Sequence, residues 1–340
     1  MIPHSRPQFD TESEKAVGRV VRSGHTARGP VSESLEVRVA AMTGREHAVA
    51  VDSGSSALLL ALFSLAAERP VRRVGIPAYA CRALLHAVRA CAAEPVFMDC
   101  AADLRLDAAQ AEALAPTLDV VILVHPFGMI EPLVTEDWPC PVIEDVAQAA
   151  GGRFAGRGLG GFGEISIASF YATKPWGGAY GGMLLSNQAR LAGRVRHMRH
   201  ADTAEVSLPY AGNHQLSDVH AALAVNRLDR ADAEMRRRCS LAARYDEWLE
   251  GTHAQPVSCG TGANHYRYIV RVEEADRSID TLRACGVAAA HPVDVPLSRL
   301  LGLTCTGAET ARRQCVSLPL LADMNAEEEE TMHRAIKTWL

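Results

Sequence analysis

Aromatic residues are scarce in this 340-residue chain: Phe, Trp and Tyr together make up 5%. A buried core must therefore be filled by aliphatic side chains and alanine, and a hydrophobic content of 48% allows that. No apolar stretch is long enough to span a bilayer, and the N-terminal MIPHSRPQFD lacks the apolar centre of a signal peptide. The expectation is a cytoplasmic protein with no membrane partner. No basic tail is present and the formal net charge is -5, so nucleic acid is not an expected partner. Nine cysteines occur without CxxC pairing, which argues for reduced core thiols, and no ligand spacing suggests a metal site. Arg236, Arg237 and Arg238 read as the solvated face of a helix.

What the chain does have is alternation. T-x-x-E at Thr11 and Glu14 predicts a capped helix to about Arg22, and a second helix is expected from about Ser32 to Met42. HAVAV is a β-rich run leading into DSGSSALLLALFSLAAE, a turn and a long apolar helix. Then RVGIP, EPVFMD, DVVILVH and PVIED read as strands, with ACRALLHAVRAC and DAAQAEAL as helices between them. This order predicts an α/β fold with a mostly parallel sheet covered on both faces. EISIASFY and GGMLLS complete that sheet. One long helix, bent in the middle, is expected from about Ser217 to Leu249, followed by the strand YRYIVRV, a helix SIDTLRACG and a last helix from about Asn325. The expected division is a large domain over 1–225 and a smaller α/β domain over 226–340.

Three segments carry chemistry. In DSGSS, residues Gly54, Ser55 and Ser56 sit where a strand gives way to a helix. Free backbone N–H groups and hydroxyls make such a turn either a phosphate cup or a plain serine-capped helix start. In VIEDVAQ, Asp145 ends a strand, where open α/β sheets place ligands, or caps a helix; Gln148 follows one turn later. In SFYATKPWGG, Ser169 and Lys174 flank a strand end and a glycine-rich loop. A carboxylate keeps a pyridine nitrogen protonated, and a lysine forms a Schiff base with an aldehyde on the same ring. Those are the two groups that pyridoxal phosphate (PLP) requires.

Taken in order, SGSSALLLAL, IPAYACRALLHAV, EPVFMDC, VHPFG, VIEDVAQAAGGRFAGRGLGGFGEISIASFYATK and NHQLSDVHAAL resemble the DegT/DnrJ/EryC1/StrS family of PLP-dependent sugar aminotransferases. The loop SGHTARGP and the terminal SLPLLADMNAEEEETM fit the same pattern, so the resemblance covers nearly the whole chain. It implies fold type I, with Lys174 as the Schiff-base lysine and Asp145 as partner of the ring nitrogen. It implies Gln148 at the ring hydroxyl, and Gly54, Ser55, Ser56 and Ser169 at the phosphate. Asn213 would reach the phosphate of a neighbouring subunit, which implies a homodimer with shared active sites. Thr26, His125 and Tyr171 would lie near the substrate. The small-molecule substrates would be an amino donor, glutamate first, and a keto acceptor: a deoxysugar, nucleotide-linked sugar, cyclitol or similar compound. Three departures stand out. Cys81 occupies the place where the family stacks a bulky aromatic on the ring, with Tyr79 two residues before it. Gln215 stands where the family often has arginine, and the loop from His200 to Asn213 is short. The alternatives are another PLP reaction (elimination, dehydration or condensation) or a non-catalytic PLP-fold sensor or partner subunit.

Overall fold

The computed structural model describes residues 1–203 and 208–340. Two helices come first, α1 (Thr11–Ser23) and α2 (Pro30–Thr43). The cap of α1 is not the expected Thr11 and Glu14 but Asp10 and Ser13, one residue earlier: Asp10 accepts from the Ser13 backbone at 2.8 Å. Helix α2 is capped from far away. Asp218, buried, accepts from the backbone N–H groups of Gly29, Val31 and Ser32 at 2.9 Å each. A carboxylate at those free N–H groups also favours the helix dipole.

The main body follows as β1 (His47–Val51), α3 (Gly54–Ala66), β2 (Arg73–Pro77), α4 (Arg82–Ala90), β3 (Glu94–Met98), α5 (Ala108–Leu114), β4 (Val120–Val124) and β5 (Val142–Asp145). A short hairpin, β6 (Arg153–Phe154) and β7 (Arg157–Gly158), precedes β8 (Ile165–Ser169), β9 (Gly182–Ser186) and α6 (Ala189–Met198). Seven strands form one sheet in the order β1-β9-β8-β5-β4-β2-β3. The pairs β3/β2, β2/β4, β4/β5 and β5/β8 are parallel, and β9 runs antiparallel to both β8 and β1. The expected fold class is therefore the observed one. Strand β4, VVILV, is apolar throughout because helices cover both faces of the sheet. Two apolar clusters pack on those faces; α3 contributes Leu58, Leu62 and Leu65 to one, and Leu35 and Val39 of α2 contribute to the other.

Beyond residue 208 the long helix is two, α7 (Asp218–Leu228) and α8 (Ala231–Leu249), broken at Asp229 and Arg230. A three-stranded antiparallel sheet follows, formed by β10 (Gln255–Pro256), β11 (Tyr268–Arg271) and β12 (Cys315–Leu318), with α9 (Ala275–Ala284), α10 (Thr306–Gln314) and α11 (Ala326–Trp339) around it. Its core is a separate cluster that includes Leu241, Tyr245, Val270, Leu282 and Ile336.

The arginine triplet does not behave as one solvated face. Arg236 is exposed, but Arg238 is buried, donates to the carbonyl of Asn264 at 3.2 Å and faces Glu234; burial depresses its pKa to about 10. Arg237 binds Glu329 of α11. All nine cysteines are free; Cys100, Cys259 and Cys315 are buried and Cys81 is exposed. Among the described residues no helix is long and apolar enough to cross a membrane. Residues 204–207, part of the expected short loop from His200 to Asn213, lie outside the described residues.

Candidate active site

The carboxyl ends of the parallel strands open into a cavity of about 300 Å³. Its wall brings together Gly54, Ser55, Tyr79, Cys81, Asp145, Gln148, Ser169, Tyr171 and Lys174, segments that stand far apart in the chain.

One end is the start of α3. Ser53, in extended conformation, caps the helix by accepting from the Ser56 backbone at 3.0 Å. Ser53 also lines the cavity, one residue before the expected Gly54–Ser56 turn; an Asp-Ser-Gly-Ser run before an apolar helix is an N-cap signal for it. Ser56 is not in the cavity wall itself; its hydroxyl shares a 2.9 Å hydrogen bond with the Ser53 hydroxyl. Gly54 faces Ser169 so closely that a Cβ would lie 2.9 Å from the serine Cβ. The cradle is thus as small as backbone alone permits, with N–H groups at a helix N-terminus, which suits a phosphate.

The floor is Asp145, the last residue of β5, buried between β4 and β8. One of its oxygens accepts from Ala147 N–H at 2.8 Å. Burial pushes its pKa up; the Ala147 N–H and the charge of Lys174 oppose that. A cationic ring nitrogen would add a further opposing charge. Its neighbour Glu144 points to the other side of the strand and is fully buried. Glu144 accepts from the N–H groups of Gly160 at 2.6 Å, Phe162 at 2.8 Å and Gly163 at 3.1 Å, and from Ser166 Oγ at 2.9 Å. Burial would raise the Glu144 pKa, but His125 and these N–H donors outweigh it and hold it at about 2.

His125 belongs to that support and does not line the cavity. Its Nδ1 accepts from Glu131 N–H at 2.9 Å, so its Nε2 carries the proton and donates to Glu144 Oε1 at 3.2 Å. The His125 backbone N–H donates to the Asp145 carbonyl at 3.1 Å. Nothing in the sequence pairs His125 with Glu144, since they meet only across neighbouring strands. Gln148 does line the cavity; its Oε1 accepts from Phe127 N–H at 2.6 Å, which leaves its amide NH₂ to donate.

Lys174 sits on the loop after β8. The loop folds tightly: Lys174 N–H donates to the Tyr171 carbonyl, and Gly177 N–H to the Lys174 carbonyl, each at 2.8 Å. A Cβ on Gly177 would lie 2.5, 2.7 and 2.8 Å from the carbonyl oxygens of Tyr171, Ala172 and Lys174. The Lys174 amine lies 5.3 Å from the centre of the Tyr266 ring. Burial would raise the Tyr266 pKa, yet the charges of Lys174 and Arg267 bring it down. Tyr266 lies about 90 residues from Lys174 in the chain, and no local motif marks it as a neighbour of the lysine.

Tyr79 is buried, meets Phe127 edge-on at 6.1 Å, and accepts from Val293 N–H at 3.3 Å. Cys81 precedes α4 at the open side. Tyr171 and Tyr180, both exposed, meet edge-on at 5.6 Å and line the mouth. Thr26 and Asn213 are exposed and outside the cavity wall; Asn213 bridges to His200 through its backbone.

A sheet of this order, with a tight anion cradle at one end of a cavity and an acid and a lysine in its wall, is the architecture of the fold-type I PLP enzymes. The residues fit the cofactor: Gly54 leaves the cradle open, Asp145 is buried at the cavity floor, and Lys174 is the cavity's own amine. The chain belongs to the DegT/DnrJ/EryC1/StrS aminotransferase family, whose model matches residues 7–337. It is an aminotransferase, and PLP is its cofactor. Among similar solved structures is the aminotransferase TlmJ from Streptoalloteichus hindustanus, at 27% identity and TM-score 0.92, covering 100% of this chain and 98% of that one. Another is DesV from S. venezuelae in complex with a ketimine intermediate, at 27% identity and TM-score 0.89, covering 99% and 98%. The fold is shared as well by the PLP form of the putative sugar aminotransferase Spr1654 from Streptococcus pneumoniae, at 24% identity and TM-score 0.89, covering 99% and 98%.

Proposed function

We propose that the enzyme moves an amino group from an amino acid, glutamate first, to a ketone on a deoxysugar or similar small compound in a biosynthetic pathway. The observation that carries this reading is the placing of Lys174, Asp145 and the Ser53–Ser55 cradle in the wall of one cavity. PLP, when bound, supplies an electron sink for a carbanion at the carbon that carries the amine. The N–H groups of Gly54 and Ser55, with Ser169, would hold the phosphate. The Asp145 carboxylate would keep the ring nitrogen protonated, and its burial would make that interaction strong. The Gln148 amide would donate to the ring hydroxyl. The Lys174 amine would act as the base that takes and returns the proton at the donor's α-carbon. Tyr171 and Tyr180 narrow the entrance and limit water.

The support for Asp145 comes from behind. Glu144 and His125 fix the end of β5, and the Phe127 N–H orients Gln148 through the turn that follows His125. A homodimer is part of the proposal: the exposed Asn213 would act in a neighbouring subunit, whereas Thr26 would lie at the substrate entrance. The division into residues 1–225 and 226–340 is likewise proposed, with α7 and the start of α8 at the junction.

Purified wild type should carry a visible-range absorbance band that Lys174→Ala abolishes, with glutamate converting the wild-type cofactor to its pyridoxamine form. A wild type that remains colourless after incubation with PLP would refute the assignment.

A further inference from the structure

The segment from Asn264 to Arg267 leads into β11, yet it packs against the turns that carry Phe127 and Gln148. Asn264 is fully buried; its Nδ2 donates to the carbonyls of Gln148 at 3.2 Å and Ala150 at 2.9 Å. The Arg267 N–H donates to the Phe127 carbonyl at 3.0 Å, and the Asn264 N–H to the Gly128 carbonyl at 3.3 Å. Gly128 permits this approach, since a Cβ there would lie 2.3 Å from the Tyr266 nitrogen. Between these anchors His265 is left-handed, at φ 50°. Side-chain-bearing residues seldom adopt that conformation, and where the surroundings enforce it the site is often a functional one.

What the segment delivers is the ring of Tyr266. The ring is buried, and the Lys174 amine lies 5.3 Å from its centre. The Tyr266 hydroxyl accepts from Arg267 Nη2 at 3.0 Å, and the Arg267 guanidinium carbon stands 4.3 Å from the ring centre. Lys174 lines the cofactor cavity and also a second hollow of about 30 Å³, whose wall includes Thr173, Tyr266 and Arg267. Tyr266 is not in the wall of the cofactor cavity. Lys174 therefore borders the cofactor in one direction and this ring in another. A buried carboxylate partner would hold the amine too firmly for it to return to the substrate. An aromatic face attracts a cation more weakly and leaves its N–H groups unoccupied.

Building on Lys174 as the cofactor's lysine, we propose that Tyr266 is its positioning residue. The ring face holds the free amine beside the cavity and favours the charge that the amine gains on taking the substrate proton. The hydroxyl serves only to fix the ring through Arg267.

The chain has three lysines, and the other two, Lys15 and Lys337, are exposed. Reductive methylation of the full-length, PLP-free protein with ¹³C-formaldehyde therefore gives few NMR signals, and Lys174→Arg assigns the one that matters. The Lys174 signal should lie upfield of the other two in wild type and in Tyr266→Phe, through the ring current, and join them in Tyr266→Leu. With PLP bound, the visible band follows the reaction with glutamate. Its rate at saturating glutamate should fall about tenfold in Tyr266→Leu and stay within about twofold of wild type in Tyr266→Phe, with the half-saturating concentration unchanged in both. Tyr266→Met, also without a ring, takes the place of Tyr266→Leu if that variant does not fold. An unshifted Lys174 signal in wild type, an unslowed ringless variant, or a Tyr266→Phe as slow as the ringless one would overturn the proposal. If wild type takes up PLP but glutamate leaves its band unchanged, the aminotransferase reading fails, and the Lys174 signal decides the role of Tyr266 separately.

Discussion

Glu144 offers the sharpest test of how the site is held. Replacing it with glutamine keeps the shape but exchanges one acceptor oxygen for an NH₂ group. The amide oxygen, placed at Oε2, still serves Phe162, Gly163 and Ser166. The NH₂ then faces two donors, the Gly160 N–H and the protonated Nε2 of His125. His125 has no escape through its other tautomer, because Nδ1 already accepts from Glu131 N–H. Each buried donor left without an acceptor costs about 1–3 kcal/mol. Arg45, also buried and 3.9 Å from Glu144, loses its carboxylate neighbour as well. The expected loss is about 3 kcal/mol or more, which for a chain of this size lowers Tm by roughly 4 °C. Calorimetry or circular dichroism at pH 7 measures it. A variant melting within about 1 °C of wild type would refute the account of this network. The pH dependence has a definite sign. The folded pKa of Glu144 lies at about 2, below its usual value of 4.5. Its stabilisation is therefore fully present above pH 4.5 and is lost as the pH falls toward about 2, so the gap between wild type and Glu144→Gln should close over that interval.

Two further substitutions probe the cavity directly. Asp145→Asn should retain the fold but slow turnover on the order of 10²-fold or more, because the ring nitrogen loses its charged partner; near-normal turnover in a steady-state assay would exclude that role for Asp145. Gly177→Ala places a Cβ against three carbonyl oxygens, so the Lys174 loop must shift; the visible band should weaken or move, and an unchanged spectrum with unchanged Tm would contradict the geometry.

Much of this was legible in the chain because the strands of the main sheet are short apolar runs set off by turns. Their order was not. That β1 lies beside β9 depends on a pairing across the whole domain, which no local pattern encodes. The break at Asp229 and Arg230 was seen only as a bend, since the apolar spacing continues on both sides. Strand β12 went unnoticed because Cys-Val-Ser-Leu is too short to stand out after a helix. The first cap was misplaced by one residue because Asp10/Ser13 and Thr11/Glu14 offer the same spacing. In the site, Asp145, Lys174 and the serine turn were readable from the resemblance of their blocks. The buried support was not: Glu144 to His125, and Arg238 to Asn264, are contacts between distant segments, and a run of three arginines looks solvated until one is seen inside.

The pairing of β1 has a bearing on how the molecule is made. Val51 lies opposite Gly182, so this strand leaves the ribosome long before β9, its one neighbour among the described residues, exists. At ordinary synthesis rates the wait is on the order of ten seconds. During that time a run of valines and alanines must stay out of trouble, and the adjoining helix α2, with its distant Asp218 cap still unborn, offers little shelter. The earliest-made edge of the sheet is thus the one completed last.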